Sequence, residues 1–151
     1  MLEDMENNGL EYHSGWDCCV PQIFWTYVVF FDPDAFPGEK PATMADFFDT
    51  EKFPGKRGIH TWATGIIEKA MVADGVKPTA VPTVLEKQTG ALDRAFAKLD
   101  TIKDDIVFWS AGSQPLELVK SGEVVMAIAY NGRVGAANLA EGENFEYIWE
   151  G

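Results

Sequence analysis

Apolar positions along the chain fall into short continuous runs separated by helical stripes, and the two patterns alternate almost to the C-terminus. The first run, Cys19 to Phe31, is rich in aromatic and β-branched residues and reads as a long strand. Pro21 lies near its start, and Asp32-Pro33-Asp34 ends it. Thr43 has the form of an N-cap for a short helix through Phe48, and Pro54-Gly55 makes a turn. A brief strand at Gly58 to His60 leads into a helix from Thr64 to Ala73, where Ile66, Ile67, Ala70 and Met71 form one apolar stripe. Gly75 suits the left-handed position that closes it.

The two prolines between Lys77 and Val84 predict a loop. Ala91 to Ile102 is the clearest helix, with Leu92, Ala95, Phe96 and Leu99 on one face and Asp93, Arg94, Lys98 and Asp100 on the other. Ile106–Trp109 predicts a strand, and Ser113 to Val119 a helix stopped by Ser121-Gly122. Val124–Tyr130 is a continuous apolar run, the pattern of a strand buried on both faces. A helix over Val134–Ala140, stopped at Gly142, and a strand over Phe145–Trp149 complete the series. Strands separated by helices need crossover connections. The expectation is an α/β fold: a three-layer, doubly wound, mostly parallel sheet with Val124–Tyr130 and Ile106–Trp109 as central strands.

In an open α/β sheet ligands bind outside the carboxyl ends of the strands. Three predicted strands here end in an aromatic residue and then turn into a helix: at Thr61-Trp62, at Trp109-Ser110 and at Tyr130-Asn131-Gly132. Any one of these aromatics is as readily a cap on the core. Their recurrence at the same topological position is what points to a stacking wall, and aromatic faces also attract cations.

Composition narrows the function. A chain of 151 residues with 46% apolar and 13% aromatic residues fits one globular domain. Twenty-four acidic against 12 basic residues give a formal charge of −12, which argues against a nucleic-acid partner or an anionic membrane surface. The longest apolar run, Ile23 to Phe31, is too short to span a bilayer, and the acidic start Glu3-Asp4 is unlike a signal peptide. Cys18 and Cys19 are adjacent, so a bond between them is strained, and no metal-binding spacing exists. Gly132-Arg133-Val134-Gly135 is too short for a dinucleotide fingerprint, and no cofactor is implied. Neither His13 nor His60 has a serine or cysteine partner in a recognisable arrangement; His60, at a strand end, is expected to be satisfied by a backbone group. The chain is not read as an enzyme.

Four stretches carry a resemblance: Asp46-Phe47-Phe48-Asp49-Thr50-Glu51-Lys52-Phe53-Pro54-Gly55-Lys56-Arg57-Gly58, Ala73-Asp74-Gly75-Val76, Leu92-Asp93-Arg94-Ala95-Phe96-Ala97-Lys98-Leu99-Asp100, and Tyr130-Asn131-Gly132-Arg133. In order and spacing they resemble the spermidine/putrescine-binding family, periplasmic solute-binding proteins of ABC importers. Such receptors hold ligand in a cleft between two α/β lobes. The resemblance implies that residues 17–151 are one lobe, the second, of a type II periplasmic binding protein, that 1–16 are a poorly ordered or crossover segment, and that the chain is a fragment. The implied partners are a small amine or amino-acid-like ligand, the missing first lobe and the membrane permease, with a homodimer of the isolated lobe as a further outcome.

The family's ligand-facing positions map onto Thr61, Trp62, Trp109, Ser110, Tyr130 and Asn131. Polyamine binders place carboxylates after the first of these strands, whereas this chain has Trp62, Ala63, Thr64 and Gly65 there. A buried ammonium without a counter-charge is costly. Arg133, three residues after Tyr130, has the chemistry to grip a carboxylate in bidentate fashion, or else to pair on the surface with Glu141 or Asp46. The first option makes the ligand a carboxylate carrier, an amino acid or an ω-amino acid such as GABA.

Overall fold

The computed structural model describes residues 25–150. The first half of the predicted long strand, together with His13, Cys18, Cys19 and the boundary at residue 16, lies outside the described residues. Among the described residues five strands form one sheet: β1 (Tyr27–Phe31), β2 (Arg57–His60), β3 (Ile106–Trp109), β4 (Met126–Tyr130) and β5 (Glu146–Ile148). Their order is β3-β2-β4-β1-β5. β2 runs parallel to β3 and β4, and β1 runs antiparallel to β4 and β5. Four strands therefore point one way and β1 opposes them.

Helices cover both faces. On one side lie α1 (Met44–Phe48), α2 (Ile66–Ala73), α3 (Val81–Lys87) and α4 (Ala91–Asp100), packed on Val29, Phe31, Ile59, Met126 and Ile128. On the other, α5 (Gln114–Lys120) and α6 (Asn131–Ala136) pack on Phe30, Ala127 and Ala129. Alternate residues of β1 and β4 feed opposite layers, as the period of a strand requires, and the continuous apolar run of β4 has apolar neighbours above and below. The three-layer α/β expectation holds. Local signals hold as well. Thr43 caps α1, its Oγ1 accepting the Asp46 N–H at 3.2 Å while Asp46 Oδ2 accepts the Thr43 N–H at 2.8 Å. Gly75 takes φ +88° after α2.

Three expectations need correction. The segment predicted as a loop over Lys77–Val84 contains a 3₁₀ turn (Pro78–Ala80) and the start of α3. Each proline sits in the first turn of its element, where no intrahelical partner for an N–H is needed. In α4 the buried stripe is Ala91 and Ala95, while Leu92 and Phe96 are more than half exposed. The small alanines let α4 approach α2 closely, which turns the larger side chains outward. Among the described residues β3 is an edge strand rather than a central one. The described part of the first strand is paired on both sides, by β4 and by β5.

Candidate functional site

Because β2, β3 and β4 are parallel neighbours, their carboxyl ends meet at one edge of the sheet, and the reversed β1 delivers its amino end to the same place. Tyr27 stands opposite Tyr130 in register, the rings stacked with centroids 4.8 Å apart and the hydroxyls hydrogen-bonded at 3.0 Å. Trp25 meets both rings edge-on, at 5.3 Å and 5.1 Å. On the far side His60 lies 4.6 Å from Trp62 and 4.3 Å from Trp109. Trp109 and Tyr130 are 6.2 Å apart, which joins the two halves into one aromatic cluster.

Short backbone ties fix the loops at this edge. The Thr61 N–H donates to the Trp109 carbonyl at 3.0 Å, continuing the β2–β3 pairing one residue beyond the strands. The Trp62 N–H donates to His60 Nδ1 at 2.9 Å, so His60 is satisfied by a backbone group as expected. Gln114 Oε1 accepts from the N–H groups of Ser110 and Ala111, both at 2.8 Å, and closes the turn into α5. Asn131 is tied to the start of β1: its N–H donates to the Thr26 carbonyl and its Oδ1 accepts the Thr26 N–H, each at 3.0 Å.

The residues singled out from sequence thus come to one edge, though not in one role. Thr61, Trp62 and Ser110 are exposed, and Tyr130 and Asn131 are half-buried. Trp109 is 1% exposed and packs beneath the surface against His60, with its indole Nε1 lacking a partner. The exposed Arg133 extends back over the β3–α5 loop. A Cβ placed on Gly112 would meet its Nε at 2.9 Å and the Tyr130 ring at 3.3 Å, so Gly112 is what leaves room for the guanidinium beside the tyrosine. Its two candidate surface partners are engaged elsewhere. Glu141 pairs with Lys120 at 2.6 Å, and Asp46 lies 3.7 Å from Lys52. Among the described residues no ion pair involves Arg133.

Trp25 and Tyr27 were not among the expected site residues, because assigning them to this edge requires knowing that β1 runs backwards. Electrostatically the edge is quiet. Burial, then the bond to Tyr130, pushes the Tyr27 phenol well above its ordinary range, so it stays neutral. Burial also holds the His60 imidazole below its ordinary value. Among the described residues no group of three or more His, Cys, Asp or Glu is placed to hold a metal ion, and no helix is long and apolar enough to cross a membrane. The arrangement offers stacking faces and one guanidinium. It suits binding rather than bond-making.

Comparison with known proteins fits that geometry. The gamma-aminobutyric acid-binding protein of Pseudomonas aeruginosa is 41% identical over 135 residues, which are 89% of this chain and 38% of the relative. The solved structure of a GABA receptor superposes with a TM-score of 0.71 at 41% identity, over 83% of this chain and 38% of that one. A spermidine/putrescine substrate-binding protein from Streptococcus pneumoniae superposes with a TM-score of 0.62 at 16% identity, over 83% of this chain and 36% of that one. That last likeness is one of fold alone. The resemblance to polyamine binders therefore holds at the level of fold, while the two relatives at 41% identity are named for GABA. The chain spans well under half the length of these relatives. The model of the bacterial extracellular solute-binding proteins, a family of binding proteins and not of enzymes, matches residues 3–151, and the chain belongs to that family.

Proposed function

We propose that this chain forms the second lobe of a periplasmic ABC-importer receptor whose ligand is an ω-amino acid such as GABA, handed on to a membrane permease. The observation that carries this reading is Arg133, held over Gly112 against Tyr130 with no carboxylate partner among the described residues. A guanidinium at the rim of an aromatic wall matches a ligand carboxylate in geometry and charge. The ammonium end is left to the exposed faces of Trp25 and Trp62 and to the other lobe of the receptor. Residues Trp62 to Gly65 carry no acid, which disfavours a polyamine with an ammonium at each end. The 41% identity to proteins named for GABA supports the same choice.

The test is a titration of the labelled chain with GABA, glutamate, putrescine and spermidine, followed by NMR at the Arg133 Nε–H and the tryptophan indoles. GABA is expected to shift Arg133, Tyr130 and Trp62 together, and Arg133→Gln to weaken it at least about tenfold, the loss of a charge-assisted pair. Spermidine bound more tightly than GABA, or an Arg133→Gln protein that binds GABA unchanged, would sink the idea.

A further inference from the structure

We propose that neutral His60 positions Trp62 at the ligand site, and that protonation of its imidazole frees Trp62 and weakens ligand binding as the surroundings acidify. The inference rests on the reading of Trp62 as part of the ligand wall. His60 ends β2 with 5% of its surface exposed, its ring between Trp62 and Trp109. Its Nδ1 accepts the Trp62 N–H at 2.9 Å, which requires the ring proton to be on Nε2. Trp62 itself is 61% exposed and has little packing to hold it. A proton arriving on Nδ1 turns that acceptor into a donor facing another donor. The bond is lost, and the loop after β2 loses the tie that orients Trp62.

The neighbours leave burial as the deciding influence. β1 presents the Tyr27 phenol, its ring 6.3 Å from the imidazole, and β3 presents uncharged Trp109. α2 contributes Ile66 and Ile67 to the groove of about 320 Å³ that His60 and Trp62 share. Asp100 at the end of α4 and Lys103 beyond it line the same groove, a carboxylate and an ammonium that oppose each other's effect. Desolvation lowers the folded-state pKa of His60. With the folded value below the free one of about 6.5, the neutral ring is fully favoured above that pH, and its contribution is lost as pH falls through the lowered value.

The test uses the isotope-labelled 151-residue chain, first without ligand. Near neutral pH a scalar coupling is expected between the Trp62 amide nitrogen and His60 Nδ1. Acidification should abolish it and move the Trp62 amide with the same midpoint as the imidazole. In His60→Asn the Oδ1 stands in for Nδ1, so Trp62 should keep its bonded shift and stop titrating. His60→Leu should show the released position at every pH. In the presence of GABA, affinity one pH unit below the midpoint should fall up to about tenfold, as the competent fraction falls, and His60→Asn should lose that dependence. A Trp62 amide that ignores acidification down to about pH 5 overturns the inference, as does a pH dependence of affinity that survives in His60→Asn. The ligand-free arm tests His60 alone. Absence of GABA binding near neutral pH would instead overturn the carboxylate reading of Arg133.

Discussion

The Arg57 guanidinium, fully buried at the start of β2, donates to four carbonyls: Phe47 at 2.7 Å, Gly55 at 2.5 Å, Asp49 at 3.1 Å and Phe53 at 2.7 Å. No carboxylate touches it, so its charge is answered by backbone dipoles of the turn between α1 and β2. Burial pulls its pKa down to about 10, with Asp105 and Asp49 opposing from a distance, and it stays charged at neutral pH. Removing the side chain strands several acceptors in the interior, each costing about 1–3 kcal/mol. Arg57→Met is therefore expected to destabilise the fold by at least about 3 kcal/mol in urea unfolding; a loss below about 1 kcal/mol would show that the turn is not organised by this residue. Arg57 and Arg133 illustrate why arginine is hard to read in one dimension. Both follow apolar strands or turns in the sequence, yet one is sealed in the core and the other lies exposed across a glycine at the carboxyl edge of the sheet.

Among the elements, β2 and β4 face each other where Gly58 pairs with Ala127. A Cβ on Gly58 would come 2.8 Å from the Ala127 Cβ, inside any real contact. Gly58→Ala gains about 0.4–1 kcal/mol by restricting the unfolded chain, but overpacking costs about 1–3 kcal/mol, so the net effect should be destabilising. Gly38→Ala, with nothing within 4 Å, is the control and should be neutral or slightly stabilising. If chemical denaturation ranks Gly58→Ala at or above the parent, the strands are less tightly opposed than this. The existence of the elements was legible because apolar runs and caps are local signals: β3, β4, α2 and α5 fall within a few residues of their predicted bounds. The order and direction of strands were not, because the placement of β1 between β4 and β5 depends on pairings across a hundred residues. That one reversal hid the presence of Trp25 and Tyr27 at this edge, while the gathering of Thr61, Trp62, Trp109 and Tyr130 there was legible from strand ends alone. The buried face of α4 was misjudged for a related reason: helical spacing gives a stripe, but the choice of alanine over leucine and phenylalanine is made by the neighbouring helix.

At the scale of the whole molecule, the proposed function makes the aromatic edge one wall of a cleft. The aromatic cluster and Arg133 lie on the open end of the sheet, and the chain spans 38% of the length of its Pseudomonas aeruginosa relative. In a receptor that closes around its ligand, most of the affinity comes from desolvating both sides of a small molecule at once. A micromolar complex is worth about −8 kcal/mol, and half of that leaves roughly millimolar affinity. The 151-residue polypeptide alone is therefore expected to bind GABA at about millimolar strength, to lose that binding with Arg133→Gln, and to bind putrescine more weakly still. The formal charge of −12 works in the opposite direction, since it favours the dication. Ionic strength separates the two contributions: salt screens the long-range field and should remove any putrescine signal before it affects a close guanidinium–carboxylate pair. Calorimetry at low and high salt decides the matter. Micromolar, saturable binding of GABA by this chain would mean that one wall suffices and that the half-site argument is wrong; putrescine binding that persists in high salt would mean that the missing acids after β2 do not govern selectivity.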